Sequence, residues 1–145
     1  MTVVSLSQAS TIVDQALAKG RELNLHPLTV VVLDAGGHMV AMKREDKSGI
    51  LRGEIALGKA WGTLGMGFGG REFARRLAGG GAVFIQALMA ASGGKVVPAP
   101  GGVLIRDAAG AIIGAVGISG DASEKDEDCA VHGIKAAGLV PDTGD

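Results

Sequence analysis

A length of 145 residues, of which 47% are hydrophobic, predicts one domain with one core over residues 1–145. A formal net charge of −1 and the absence of tyrosine argue against nucleic acid and against a membrane surface as partners. Residues 1–10 lack a signal-peptide pattern and no run of about 18 apolar residues predicts a membrane span, so a cytoplasmic protein is expected.

The first third of the chain predicts a helix followed by a β-hairpin. Apolar residues recur at helical spacing after Ser7, which predicts a helix over residues 7–23 with Ser7 as its N-cap. The β-branched run at 28–33 is typical of a buried strand, and residues 38–43 are its predicted partner. The link at 34–37 is short and contains glycine, which favours an antiparallel hairpin.

The rest of the chain predicts helices, then strands, then a last helix. The helices expected after the hairpin cover residues 50–68, 71–77 and 83–91. The strands expected after them cover residues 96–97, 102–106 and 111–119. The last helix starts at Ser123, which forms a capping-box pattern with Asp126, and Gly138 occupies the place of a C′ glycine. Paired hairpins with helices between them predict an α+β domain with an antiparallel sheet, rather than a Rossmann fold.

The chain has 25 glycines, and several of them lie inside predicted helices and strands. Gly58, Gly62, Gly65 and Gly69 are spaced i, i+4, i+7 and i+11, which places them on one face of the helix predicted at 50–68. Each interior glycine costs a helix about 0.5–1 kcal/mol relative to alanine, so something must approach this face closely. Two interpretations remain open: tight packing against the sheet or another helix, and a flat ligand or partner subunit on the glycines.

Close backbone approach is also predicted elsewhere. The strand segment Gly-Ala-Val-Gly-Ile-Ser-Gly at 114–120 contains three glycines, and glycine inside a strand often marks such an approach. Gly101 and Gly102 precede a strand and could offer backbone N–H groups to a carboxylate. The sequence lacks the spacing of a phosphate-binding loop.

Several charged or ligating residues are candidates for chemistry. His26, His38 and His132 are not spaced for a zinc site, but one histidine suffices as an axial haem ligand. Lys59 lies in an apolar segment, where it must snorkel to solvent, pair with a carboxylate or bind an anion. Cys129 is the one cysteine, which excludes an internal disulfide and predicts a buried thiol.

A series of sequence blocks resembles those of the GlcG/HbpS-type haem-binding family, in the same order and over nearly the whole chain. The blocks are residues 32–37, 43–46, 54–60, 100–102, 114–120 and 126–127. The block at 114–120, followed by an acidic helix start, is the most specific of them. The resemblance implies a profilin-like three-layer α/β/α arrangement with a five-stranded antiparallel sheet, and homo-oligomers.

The resemblance and the residues together lead to three functional hypotheses. The first is a protein that binds haem or a related tetrapyrrole, with His26 or His132 as axial ligand. Gly62 and Gly65 would provide the slot, and Gly101 and Gly102 are further candidates for binding the cofactor.

The second hypothesis is a lyase-, hydratase- or tautomerase-like enzyme acting on a small carboxylated catabolic intermediate. In that case Lys59 or Arg44 would hold the substrate carboxylate while Glu54 or Asp126 moves protons. The third hypothesis is a structural subunit in which the glycines serve assembly. The three hypotheses differ in whether the ligand is a tetrapyrrole, a small carboxylate or another protein chain.

Overall fold

Five strands form one antiparallel sheet in the computed structural model, which describes residues 3–145. The strands are β1 (Thr29–Asp34), β2 (Met39–Arg44), β3 (Gly102–Arg106), β4 (Ile112–Ser119) and β5 (Val140–Asp142), in the spatial order β2-β1-β4-β3-β5. Within that range the helices are α1 (Leu6–Glu22), α2 (Arg52–Met66), α3 (Gly70–Ala78), α4 (Ala82–Ala91) and α5 (Ser123–Ala136). The predicted α+β class and the five-stranded antiparallel sheet are confirmed.

The central strand β1 is buried on both faces, which explains its unbroken apolar sequence. Val30 and Val32 point into the core formed with α1 and α5, whereas Val31 and Leu33 pack toward α2. Successive side chains of a strand point to opposite faces, so α1 and α5 cover one face of the sheet and α2 covers the other. The structure therefore has the α/β/α layering that the family resemblance implies.

Helix α2 lies unusually close to the sheet because two strand residues beneath it are glycines. A methyl group on Gly117 of β4 would overlap the carbonyl oxygen of Ala56 and lie 2.9 Å from the backbone nitrogen of Ala60. A methyl group on Gly102 of β3 would overlap the carbonyl oxygen of Lys59. The close approach predicted for these two segments is confirmed, and its partner is the backbone of α2.

Two predicted helix caps are wrong. The N-cap of α1 is Ser5, which forms a capping box with Gln8, and not Ser7. Helix α5 has Ala122 as its N-cap, without a side-chain cap, so the predicted capping box of Ser123 is wrong. The carboxylate of Asp126 is buried and accepts its hydrogen bonds elsewhere, so it is not available to cap the helix.

The strand predictions need two corrections at the edges. Residues 96–97 form no strand; Val97 instead donates its backbone N–H to the carbonyl of Gly58 on α2. The edge strand β5, which pairs with β3, was not predicted because it has three residues and contains Pro141. Gly138 has φ +76° directly after α5, as expected of a C′ glycine.

None of the helices in residues 3–145 is both long enough and apolar enough to cross a membrane.

Candidate functional site

The face of α2 directed away from the sheet forms the wall of two adjoining grooves, which we call the outer grooves. The larger has a volume of about 340 Å³ and is lined by Gly37, Glu54, Leu57, Gly58, Trp61, Gly93, Gly94 and Lys95. The smaller has a volume of about 180 Å³ and is lined by Ala35, Gly36, Gly37, Trp61, Leu64 and Gly65. Gly37 and Trp61 belong to both, so the two grooves meet at the indole.

Trp61 supplies the largest flat apolar surface of the outer grooves. It is half-buried, and a methyl group on Gly37 would lie 3.2 Å from its Nε1, so the β1–β2 turn packs closely on the indole. The Lys95 ammonium lies over the ring, 5.5 Å from its centroid. The outer grooves therefore combine a planar aromatic wall with a positive charge, an arrangement that suits a flat, apolar and anionic ligand.

The turn between β1 and β2 places the imidazole of His38 against Gly36, which lines the smaller groove. Its imidazole Nδ1 lies 3.2 Å from Oδ1 of Asp34, and 81% of its side chain is exposed. Asp34 Oδ1 also accepts the backbone N–H groups of Gly36 at 2.9 Å and His38 at 3.0 Å. The backbone N–H of His38 is the main reason why the pKa of Asp34 lies below its ordinary value.

Lys59 points from the sheet-facing side of α2 into a buried ion pair with Asp126. Its Nζ lies 3.2 Å from Oδ2 of Asp126 and donates to the carbonyl oxygen of Ile118 at 2.9 Å. Asp126 Oδ1 accepts the backbone N–H of Asp121 at 3.0 Å. The side chains of Lys59 and Asp126 are only 4% and 1% exposed.

Burial dominates the electrostatics of this pair. Desolvation raises the pKa of Asp126 to about 6, against the opposing effect of the nearby Lys59. Desolvation also lowers the pKa of Lys59, although Asp126 acts in the other direction. Both shifts disfavour the charged forms, as expected for an ion pair enclosed by the protein. Of the three interpretations of Lys59, the structure supports the pairing with a carboxylate.

The predicted catalytic residues do not converge on one cavity. Lys59 and Asp126 meet, whereas Glu54 lies in the larger outer groove, on another side of α2. Arg44 donates to the carbonyl oxygen of Ser48 at 2.8 Å, at the end of β2.

Gly101 and Gly102 lie next to the buried pair rather than facing an exposed ligand site. A methyl group on Gly101 would lie 2.9 Å from the Nζ of Lys59, and Gly102 packs on the Lys59 backbone. The ammonium group thus occupies the space beside Gly101 that an external carboxylate would need.

The histidines predicted as axial ligands also lie apart from the predicted glycine slot. His26 is exposed before β1, where its backbone N–H donates to Asp121. His132 lies on α5, in the helix layer on the opposite face of the sheet from α2. Their roles as haem ligands stay predictions, but neither residue lines the outer grooves.

The four glycines predicted to share one helix face have different environments. The backbone of α2 turns left-handed at Gly67, so Gly69 lies beyond the helix and packs on the backbone of Thr143. A methyl group on Gly62 would lie 2.9 Å from Cγ1 of Val96. Gly58 also packs on the segment at 95–97, whereas Gly65 has open space and lines the smaller groove.

Sequence reasoning missed Trp61 and Lys95 as residues of a candidate site. Glu54, Leu57, Trp61 and Gly65 recur at helical spacing on the outward face of α2, and this periodicity is the signal that could have found the first part of the groove. Lys95 arrives from a loop far along the chain, so no local pattern indicates it. Within residues 3–145, no group of three or more His, Cys, Asp or Glu side chains is arranged to hold a metal ion.

Comparison with solved structures shows that the fold is a known one. The chain has 28% identity to the crystal structure of a PduOC–haem complex, with a TM-score of 0.85, covering 95% of this chain and 97% of that one. It has 25% identity to the crystal structure of HbpS, with a TM-score of 0.77 and coverage of 93% and 90%. Protein ORFY of Klebsiella pneumoniae is 24% identical, with a TM-score of 0.83 and coverage of 95% and 92%.

Sequence comparison adds a family to this likeness of fold. No curated protein matches the chain. The sequence pattern of the family described as "Haem degrading protein HbpS-like" matches residues 4–135. That range contains α1, the outer grooves and most of α5. The chain therefore belongs to the HbpS-like family of haem degrading proteins.

Proposed function

We propose that this protein binds haem, and that the haem lies in the outer grooves. The observation that carries the proposal is the half-buried indole of Trp61, which is flanked by apolar Leu57 and Leu64 and overlain by the Lys95 ammonium. Family membership and the 28% identity to a protein crystallised with haem support the same ligand. The larger groove, at about 340 Å³, is within the usual size range of small-molecule sites.

The residues of the outer grooves fit the chemistry of a porphyrin. A porphyrin is flat and apolar, so it can stack on the Trp61 indole and contact Leu57 and Leu64. Its propionates are anionic, and Lys95 is a cation at the edge of the larger groove. When bound, haem supplies an iron whose behaviour depends on its axial ligand and on the polarity around it.

The enzyme hypothesis is not favoured. It requires Lys59 to hold a substrate carboxylate and Asp126 to move protons, but both side chains are buried and already bonded to each other. The Lys59 ammonium has a second acceptor in the Ile118 carbonyl, which leaves little capacity for an external anion. The pair connects α2 to α5, so a stabilising role accounts for its contacts.

The test is a haem titration followed by absorbance at the Soret band. Wild-type protein should give a saturable Soret shift, whereas Trp61→Ala and Lys95→Ala should each weaken binding about tenfold, the equivalent of about 1.4 kcal/mol. Trp61→Phe retains an aromatic plane and should lose less. Lys135→Ala, which removes an exposed lysine on α5, is the matched control for charge and should bind as wild type does.

Two outcomes would contradict the proposal at different levels. A wild-type protein that gives no Soret shift would exclude haem as the ligand. A normal shift that Trp61→Ala and Lys95→Ala both leave unchanged would place the haem somewhere other than the outer grooves.

We further propose that the protein forms homo-oligomers in which a second copy covers α4. The support is the surface of that helix, where Val83 is 79%, Phe84 52% and Met89 39% exposed, while Ile85 is buried. Contiguous exposed apolar side chains of this kind mark interaction surfaces. Light scattering should give a mass above that of one chain for the wild type and a lower mass for Val83→Asp. A monomeric wild type would contradict this proposal.

A further inference from the structure

The turn between β1 and β2 carries an imidazole at the edge of the outer grooves. Gly36 and Gly37 of this turn line the smaller groove. A methyl group on Gly36 would lie 2.9 Å from both Nδ1 and Cε1 of His38, so the imidazole packs directly against a groove-lining residue. Because 81% of the His38 side chain is exposed, nothing within the described chain prevents its ring from meeting a ligand there.

Asp34 determines which nitrogen of His38 is available. An ionised carboxylate only accepts hydrogen bonds, so Oδ1 at 3.2 Å favours the proton on Nδ1. Nε2 then carries the lone pair and can bind a metal. Histidines that bind metals commonly donate their other ring N–H to a carboxylate in this way.

The two other histidines lack this combination. Within residues 3–145, neither the His26 imidazole nor the His132 imidazole forms a side-chain hydrogen bond, whereas the His38 imidazole bonds to Asp34 and lies against the groove-lining Gly36. His132 also belongs to the helix layer on the far side of the sheet from Trp61. Of the three histidines of the chain, His38 alone is held by a carboxylate beside the candidate haem site.

We propose that His38 is the axial ligand of a haem bound in the outer grooves and that Asp34 is the positioning residue that orients its imidazole. The inference rests on the proposed haem binding and adds the ligating atom to it. The Nε2 lone pair of neutral His38 forms the bond to iron, in place of a water ligand. The proton on Nδ1 stays hydrogen-bonded to Asp34, and no electron is transferred.

The first experiment compares the absorption spectra of haem-loaded wild type with those of three single variants, His38→Ala, His26→Ala and His132→Ala. We expect His38→Ala alone to lose the spectrum of histidine-ligated haem and to bind haem at least tenfold more weakly. Added imidazole should restore that spectrum in His38→Ala, because it can occupy the vacated position. The His38 side chain is exposed, so we expect His38→Ala to fold as the wild type does, and circular dichroism checks this directly.

The second experiment tests Asp34 separately from the fold of the turn. In Asp34→Asn the amide oxygen can still accept the backbone N–H groups, but the negative charge beside Nδ1 is lost. Loss of such a partner typically weakens metal binding by about 10–100-fold. We also expect a more positive midpoint potential of the bound haem, because the imidazole becomes a weaker electron donor. An unchanged potential and affinity would contradict the positioning role.

The failures of the two proposals are distinguishable. Wild-type protein that binds no haem would overturn the proposed function and this inference with it. Wild-type protein that binds haem while His38→Ala keeps the same spectrum and affinity would overturn the inference alone. Loss of the histidine-ligated spectrum in His26→Ala or His132→Ala, with His38→Ala unchanged, would overturn it as well.

Discussion

The two faces of α2 contain similar residues in very different surroundings. On the sheet-facing side, the backbone at Ala56 rests on Gly117 and Lys59 is buried in an ion pair with Asp126. On the outward side, Trp61 is half-buried and Gly65 has nothing within 4 Å of the place where a methyl group would be. The inner face has no room for a larger side chain, whereas the outer face has room for a ligand.

This difference shows that the glycines in α2 and beneath it have different structural roles. Gly117 is needed because two backbones meet there, and backbone atoms cannot move aside as a side-chain end can. No atom packs against Gly65, so this glycine lowers the stability of the helix without permitting a close contact. We therefore expect substitutions on the inner face to destabilise the protein, and substitutions on the outer face to be tolerated by the fold.

The largest effect is expected from Gly117→Ala. The added methyl group would overlap the carbonyl oxygen of Ala56, so α2 would have to move away from β4. We expect a loss of about 5 kcal/mol or more in the free energy of unfolding, among the largest for a point substitution. Urea denaturation measures it where the variant folds. A loss below about 1 kcal/mol would show that α2 shifts easily, and would contradict the rigid contact inferred here.

Lys59→Met should have the next largest effect. Removing the ammonium leaves the buried Asp126 carboxylate without its ion-pair partner, which typically costs about 3–5 kcal/mol. The double variant Lys59→Met/Asp126→Asn removes both charges while the amide oxygen still accepts from Asp121, so it should recover part of the loss. The coupling energy, calculated from the wild type, the two single variants and the double variant, measures the interaction between the two side chains. Strictly additive losses would mean that the two side chains do not interact.

The pH dependence of stability should also report on this pair, with a smaller effect. The pKa of Asp126 rises from 3.8 to about 6 on folding, so in that interval the folded state holds a proton that the unfolded chain has released. The contribution of Asp126 to the free energy of unfolding is therefore present at low pH and is lost as the pH rises toward 6. At about 1.4 kcal/mol per pKa unit, a loss on the order of 2–3 kcal/mol is expected.

The matched control for this titration is Asp126→Asn, which has no ionisable group at the position. Subtracting its pH profile from that of the wild type removes the contributions of the other carboxylates. The difference should decline between about pH 4 and pH 6. A difference that is flat over this interval and rises only below about pH 4 would mean that the pairing with Lys59 outweighs desolvation.

Gly65→Ala should have the smallest effect, and the opposite sign. The methyl group meets no atom, and alanine favours a helix interior by about 0.5–1 kcal/mol over glycine. Thermal unfolding should therefore show a modest rise in the melting temperature. Gly62→Ala is the neighbouring comparison, since its methyl group would lie 2.9 Å from Val96. A destabilised Gly65→Ala would show that the outer face of α2 is less open than the structure indicates.

The secondary structure could be predicted where local patterns decide it. The strand at 102–106 coincides with β3, and α1, α3 and α4 begin and end within one residue of their predicted bounds. The predictions were wrong where tertiary contacts decide: Val97 bonds to α2 instead of a strand, and β5 exists only because β3 offers it an edge.

The candidate site was predicted only in part, because its walls come from distant segments. Glu54 was a candidate and lies in the larger groove, but Trp61 and Lys95 were not candidates. Lys59 and Asp126 were both singled out, yet only the fold shows that they pair with each other. Lys95 and Trp61 are 34 residues apart and Lys59 and Asp126 are 67 apart, so no local sequence pattern indicates either pairing.

By itself the sequence determined the α+β class, the antiparallel hairpins, the close backbone approach at β4 and the likeness to a haem-binding family. Those features follow from residue type and spacing, which act over a few residues along the chain. The tertiary structure alone decided which backbone meets Gly117, which carboxylate neutralises Lys59 and which loop places an ammonium group over Trp61. These depend on how the helix layers pack on the sheet, and packing is a property of the whole chain.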